Sequence, residues 1–233
     1  MILSTVKNVG AFGLAPSVLE IKLKELSQFT SIMKEFMMNI NEKVILTDYD
    51  GVLADWVYGF TQFLARHGYN QDHFDHVGHR IEQRYNDISD TQIQTYVGMF
   101  NESAGIAYLS PLRDSVKYIR KLHEEHGFVF HCITKLGDDP MAIRLREFNC
   151  ERLFGKTAFE KMTCINQNAN KSHYLKAYKD TGCVWVEDHM SNAIQGVDLG
   201  LNCYLMDGDH NKNDEHPMVT RVANWKEIYE DII

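Results

Sequence analysis

Two aspartates one residue apart, followed at once by a glycine, are where this chain first shows chemistry: Asp48-Tyr49-Asp50-Gly51. Carboxylates that close together repel unless a proton or a cation lies between them. Oxygen-only ligation of that kind suits a hard divalent ion, Mg²⁺ first among them. The pair follows Val44-Ile45-Leu46-Thr47, a short apolar run that reads as a buried strand. Gly51 lets the backbone turn away directly afterwards. Both acids then stand beyond the carboxyl end of a strand, where open α/β sheets bind their ligands. An acidic turn without chemistry would look the same over these four residues, so the rest of the chain has to decide.

Three more polar groups sit where strands or their following loops should end. Phe128-Val-Phe-His-Cys-Ile-Thr134 is an apolar run closing on a hydroxyl. Cys183-Val-Trp-Val-Glu187-Asp188 is another, closing on two acids. Lys171 lies between them, at the start of the helical-looking stretch from Ser172 to Tyr178. In a parallel sheet such ends gather along one edge. Each residue also has a plainer reading. Thr134 would serve as an ordinary strand threonine, and Lys171 has competitors in Lys156, Lys161 and Lys176. Acids after a continuous apolar strand are harder to dismiss, and a metal is their simplest explanation.

The order Asp-x-Asp, Thr, Lys, Glu-Asp resembles the four motifs of the haloacid dehalogenase superfamily of phosphotransferases, over roughly Lys43 to the C-terminus. The resemblance implies a Rossmann-like α/β fold, a parallel sheet with helices on both faces and a small helical cap inserted after the first strand. It divides the chain into an N-terminal helical arm (1–42), a core (43–56 and 109–233) and the cap (57–108). It implies a Mg²⁺-dependent phosphomonoester hydrolase that works through an aspartyl-phosphate. Asp48 would be the nucleophile, and Asp50 the general acid and then base. Thr134 would hydrogen-bond a phosphoryl oxygen. Lys171 would pair with the phosphate and with Asp48. Asp188 would bind Mg²⁺ together with Asp48 and the backbone carbonyl of Asp50, and Glu187 would bind it directly or through water. Charge neutralisation of the phosphate by a metal and a covalent carboxylate step are what this chemistry requires.

Asp48-Tyr-Asp-Gly-Val-Leu-Ala-Asp-Trp56 is similar to the opening of the 5′(3′)-deoxyribonucleotidase branch, and His210-Asn211 with Arg221-Val-Ala-Asn224-Trp225 is similar to its ending. That likeness implies a small phosphorylated substrate, a (deoxy)nucleoside monophosphate or a related ester, with Trp56, Gly51 and Lys135 at the substrate. An indole face suits stacking on a base; core or cap packing is the plainer role. Lys135 departs from the branch, which has a small hydroxyl residue there. A lysine meets phosphate as a point charge and in a different geometry.

Composition sets outer limits. The 233 residues allow one α/β domain with an insertion. A net charge of −8 argues against an extended nucleic-acid surface, which needs a basic stripe. A polynucleotide end phosphatase is therefore the weaker enzyme reading, and a non-catalytic regulatory protein on the same fold has no need of the full acid and lysine set. A receiver domain fits less well, because its acids come from separate strands. The five cysteines form no Cys-x-x-Cys pair and read as reduced, buried thiols of a cytoplasmic protein. No run approaches a membrane span and no signal-peptide core is present, so a membrane is not expected as a partner.

Several further elements follow from periodicity. Ser17-x-x-Glu20 caps an amphipathic helix with Leu19, Leu23, Leu26, Phe29, Met33, Met37 and Ile40 on one face. It packs on its own domain or forms a homodimer. Helices are expected over 75–86, 90–100, 111–123, 140–148 and from Asn192 to Gly196, with Leu201–Met206 as the last strand. Asp138-Asp139-Pro140 reads as a helix cap and not as a metal site. His73, His76 and His79 share a helical spacing, and a packed or solvated face is preferred over a zinc site.

Overall fold

The computed structural model describes Glu25, residues 43–71 and residues 81–233. The chain divides into two compact units, Met1–Ile40 and Asn41–Ile233, and the whole sheet lies in the second. The N-terminal amphipathic helix and the three spaced histidines fall outside the described residues.

Six strands form one parallel sheet: β1 (Val44–Thr47), β2 (Val129–Lys135), β3 (Phe159–Ile165), β4 (Val184–Glu187), β5 (Asn202–Met206) and β6 (Val219–Val222). Their order is β3-β2-β1-β4-β5-β6. The first strand is therefore central, with Val44 opposite Val129 on one side and Ile45 opposite Val184 on the other. Strand order reverses at β1, and that reversal opens a crevice at the carboxyl ends.

β1 is buried along its whole length because both faces of the sheet are covered. Its residues alternate between two apolar clusters. Ile45 packs with Phe130, Cys132, Val186 and Trp225. Val44 and Leu46 pack with Ile133, Trp185 and Cys203 on the opposite face. Burying a side chain such as Leu46 completely contributes roughly 1.5–3 kcal/mol.

Helices α1 (Trp56–Arg66) and α2 (Asp90–Asn101) stand between β1 and β2, with short 3₁₀ turns at Ile81–Arg84 and Ala104–Tyr108. Among the described residues this insertion contains no strand of the sheet. Its Phe60, Leu64, Ile93 and Phe100 join the apolar cluster that contains Ile45. Ser89 and Gln92 close α2 with a reciprocal capping box. Then come α3 (Ser115–Glu124), α4 (Pro140–Phe154), the single turn α5 (Ser172–Leu175), α6 (Met190–Val197) and α7 (Trp225–Ile232).

Sequence expectations need correction at several points. Of the helix expected over 75–86, residues 75–80 lie outside the described residues and the rest holds only the 3₁₀ turn Ile81–Arg84. Leu201–Met206 is not the last strand, since β6 follows it, and β3 is a strand that hydropathy alone passes over. Both are sheet edges, where polar residues such as Glu160, Lys161 and Arg221 are tolerated in the run. The helix expected from Pro111 starts only at Ser115, because Pro111 is bridged to Ala54. The helix from Pro140 runs past Phe148 to Phe154, ending at Gly155 with φ +87°. Asp139 caps it as expected, accepting from the Ala142 N–H at 2.7 Å.

Candidate active site

The strand ends bring Asp48, Thr134, Glu187 and Asp188 to one edge. The Asp48 N–H donates to the Val186 carbonyl at 2.9 Å, which continues the β1–β4 pairing past the last strand residue. Its carboxylate is then fixed from two sides. Oδ1 accepts from the Tyr49 N–H at 2.7 Å, and Oδ2 lies 2.9 Å from Lys171 Nζ.

Lys171 is completely buried, whereas its competitors Lys156, Lys161 and Lys176 are exposed. A buried ammonium requires partners, and it has two: Asp48, and Glu187 Oε1 at 2.5 Å. Burial alone would lower its pKa, but the two carboxylates outweigh burial and hold it above the ordinary lysine range. Glu187 is engaged at both oxygens, since Oε2 accepts from the N–H groups of Asp188 and His189 at 3.0 Å each. Its placement makes it the anchor of Lys171. Burial raises Asp48 to about 6; Lys171 opposes the rise while Glu187 and Asp188 add to it.

Asp188 is bracketed by the tail of the chain. Its backbone carbonyl accepts from His210 Nε2 at 2.9 Å and from Asn211 Nδ2 at 2.6 Å. His210 also lies 3.2 Å from Asp188 Oδ2. Asn211 is tied to Arg221 of β6 at 2.9 Å. Burial pushes the Asp188 pKa up, yet the His210 hydrogen bond and the neighbouring positive groups outweigh it and hold the carboxyl below its ordinary value.

Gly51 has φ +72°, and a Cβ there would lie 2.3 Å from Asp188 Oδ2. Only a glycine satisfies both the left-handed backbone and this close approach.

Ligand fit is tested by the atoms left without partners. Asp188 Oδ1 and Thr134 Oγ1 are both buried and make no hydrogen bond. Leaving such a group unsatisfied costs about 1–3 kcal/mol, so a ligand is their natural complement. Asp48, Glu187 and Asp188 each offer an oxygen within 4.8 Å of the others. This oxygen-only set fits a hard divalent cation. Asp48 and the free oxygen of Asp188 are the best-placed donors. Glu187 stays in the cluster but is already occupied.

Asp50 has a partner that sequence reasoning missed. Arg146, completely buried on α4, donates through Nη1 to Asp50 Oδ1 and through Nη2 to Oδ2 at 2.9 Å. Its guanidinium lies 4.4 Å from the centre of the Tyr49 ring. The Tyr49 hydroxyl donates to Asn149 Oδ1 at 2.6 Å, and Asn149 donates to the Ala107 and Leu109 carbonyls at 3.1 and 3.0 Å. Burial raises the Asp50 pKa, and Arg146 offsets part of that rise. Nothing in the spacing of Arg146 marks it out. His210, Asn211 and Arg221 were visible only as a motif of the tail.

Trp56 starts α1, with Asp55 capping the helix beneath it. Its ring stacks on Phe60 at 4.8 Å and meets Phe100 edge-on at 5.7 Å. Its indole N–H donates to Asn101 Oδ1 at 2.9 Å. Lys135 closes β2, half-buried, one residue past Thr134.

Comparison with known proteins agrees on the fold. No protein-family profile matches the chain. An uncharacterized 32.4 kDa protein of Enterobacteria phage T4, from the Gp30-rIII intergenic region, is 28% identical over 190 residues, which covers 79% of this chain and 67% of the relative. A haloacid dehalogenase-like family hydrolase from Streptococcus pneumoniae superposes with a TM-score of 0.56 at 14% identity, over 82% of this chain and 98% of that one. CbbY from Rhodobacter sphaeroides, solved in complex with phosphate, superposes with a TM-score of 0.52 at 15% identity, over 80% and 96%. The chain therefore has the fold of the haloacid dehalogenase-like hydrolases, as its motif order implies. Among the described residues, no helix is long and apolar enough to cross a membrane.

Proposed function

We propose that this protein is a Mg²⁺-dependent phosphomonoester hydrolase acting through a phosphorylated Asp48. The observation that carries this reading is a carboxylate held 2.9 Å from a buried lysine, beside a buried hydroxyl and a buried carboxylate oxygen that have no partners. A bound Mg²⁺, held by Asp48 and Asp188, would neutralise and orient the phosphate.

The remaining work falls to the chain's own groups. An Asp48 oxygen attacks phosphorus and the ester P–O bond breaks. Asp50 gives its proton to the departing oxygen. Water then attacks the aspartyl-phosphate while Asp50 takes a proton back, and phosphate leaves. Lys171 offsets charge on Asp48 and the phosphoryl oxygens as it develops. Thr134 donates its unused hydroxyl hydrogen to a phosphoryl oxygen. Both Asp50 oxygens accept from Arg146, but each keeps a further lone pair, which can carry the proton given to the leaving oxygen and then accept one back from water.

For the substrate we favour a (deoxy)nucleoside monophosphate or a similar small ester. The likeness around residues 48–56 supports it. Purified protein assayed on a phosphate-ester panel, with Mg²⁺ and with excess chelator, tests the reading. Phosphate release that disappears with chelator is expected. Undiminished release in chelator, or none from any ester, would overturn it.

A further inference from the structure

Beside the strand ends lies a cavity of about 250 Å³. Its walls lead back to the site on several sides. Leu136 and Gly137 line it just after Thr134 and Lys135. Asn166, Gln167 and Asn168 line it on the loop that runs from β3 to Lys171. Ala142 lines it one turn ahead of Arg146 on α4. Residues four apart share a helix face, so the face that grips Asp50 also borders the cavity. Asn101 lines it from α2, held in place by the Trp56 indole N–H.

The chemistry of this lining is one-sided. Carboxamides come from residues 101 and 166–168, and carboxylates from Glu102, Asp138 and Asp139. Among the described residues, no lysine, arginine or histidine lines the cavity. Anionic ligand groups are normally met by such cations or by an open helix N-terminus. Among the described residues, the only helix that begins at this wall is α4, and Asp139 already caps it. With its Oδ1 taken by Trp56, Asn101 has its NH₂ group left to donate. The carboxylates can only accept, which favours hydroxyl and amino donors on a ligand. The volume corresponds to about eight waters at ~30 Å³ each, room for a single ring.

We infer that this cavity receives the leaving group of the substrate, and that this group is an uncharged ring rich in hydrogen-bond donors, without a second phosphate or carboxylate. The inference rests on the phosphomonoesterase reading above. A sugar would place its only ring there and a nucleoside one of its rings; both share the required chemistry, and the test separates them.

Two matched pairs of esters are compared with Mg²⁺ present: thymidine 5′-monophosphate against thymidine 3′,5′-bisphosphate, and glucose 6-phosphate against glucose 1,6-bisphosphate. An aryl phosphate reports the bare chemistry. Like charges forced together discriminate strongly, so kcat/KM should favour the member without a second anionic group by roughly tenfold or more in whichever pair is turned over. Glu102→Gln with Asp138→Asn should shrink that preference at least about threefold, mainly through KM of the more anionic ester. Glu102→Gln alone, at an exposed position, should move it in the same direction. Equal kcat/KM within the pairs, or a preference unmoved by the variants, would overturn the cavity assignment while aryl phosphate turnover leaves the phosphatase reading standing. Absence of turnover on every ester, the aryl phosphate included, would overturn both.

Discussion

Replacing Arg146 with methionine should destabilise the protein far more than a typical substitution, and for a specific electrostatic reason. The arginine is completely buried and grips both oxygens of Asp50, whose side chain is 24% exposed. Removing one partner of a buried ion pair strands the other charge, at a cost of about 3–5 kcal/mol. Because solvent reaches part of Asp50, the lower end applies, about 3 kcal/mol. For a domain of this size that is a fall in Tm of roughly 6–12 °C. Asp50→Asn alone should also be costly, since it leaves the guanidinium buried without its counter-charge. The double variant Asp50→Asn with Arg146→Met removes both charges together. Its loss should be smaller than the sum of the single losses by at least about 1 kcal/mol. Urea denaturation of the four proteins in chelator measures this directly. Additive losses, or a loss below about 1 kcal/mol for Arg146→Met, would show that the clamp carries no such energy.

Asp48→Asn should abolish turnover of every ester, whereas Asp50→Asn should lose least on an aryl phosphate, whose leaving group needs little protonation; equal losses on good and poor leaving groups would contradict the acid role of Asp50. Mg²⁺ should raise Tm in a concentration-dependent way, and Asp188→Asn should remove most of that rise while the protein still folds. Gly51→Ala should cost at least about 1 kcal/mol from the left-handed backbone alone and should weaken the Mg²⁺-dependent rise in Tm, because the new methyl displaces Asp188; an unchanged Mg²⁺ response would mean that Asp188 is not held where a cation needs it.

The central strands and the acids at their ends were legible because both depend on local pattern. A run buried on both faces is continuously apolar, and a carboxylate at its end breaks that pattern visibly, as at Asp48 and Asp188. The edge strands β3 and β6 were not legible, since one free side relaxes the requirement for apolar residues. Lys171 was picked out by its place in the motif order, while the structure singles it out by burial among four nearby lysines. Arg146 could not be read at all. It sits in a helix with charged neighbours Arg144, Glu147 and Arg152, and only the packing of α4 against the turn after β1 distinguishes it. Glu187 was legible as an acid at the right place, but its engagement by Lys171 and two backbone N–H groups depends on the loop that follows β4.

The central position of β1 also bears on how the protein is made. β1 is synthesised before the other five strands of its sheet, yet its partners Val129 and Val184 are far downstream. Until they emerge from the ribosome, a largely apolar segment and the two aspartates after it have no sheet to join. The bracket on Asp188 arrives later still, because His210, Asn211 and Arg221 belong to the last stretch of the chain. Pairings so distant in sequence fold slowly and leave sticky intermediates exposed. A ribosome stalled before residue 210 would therefore hold a nascent chain with most of its core strands but without the His210–Asn211 bracket that fixes Asp188.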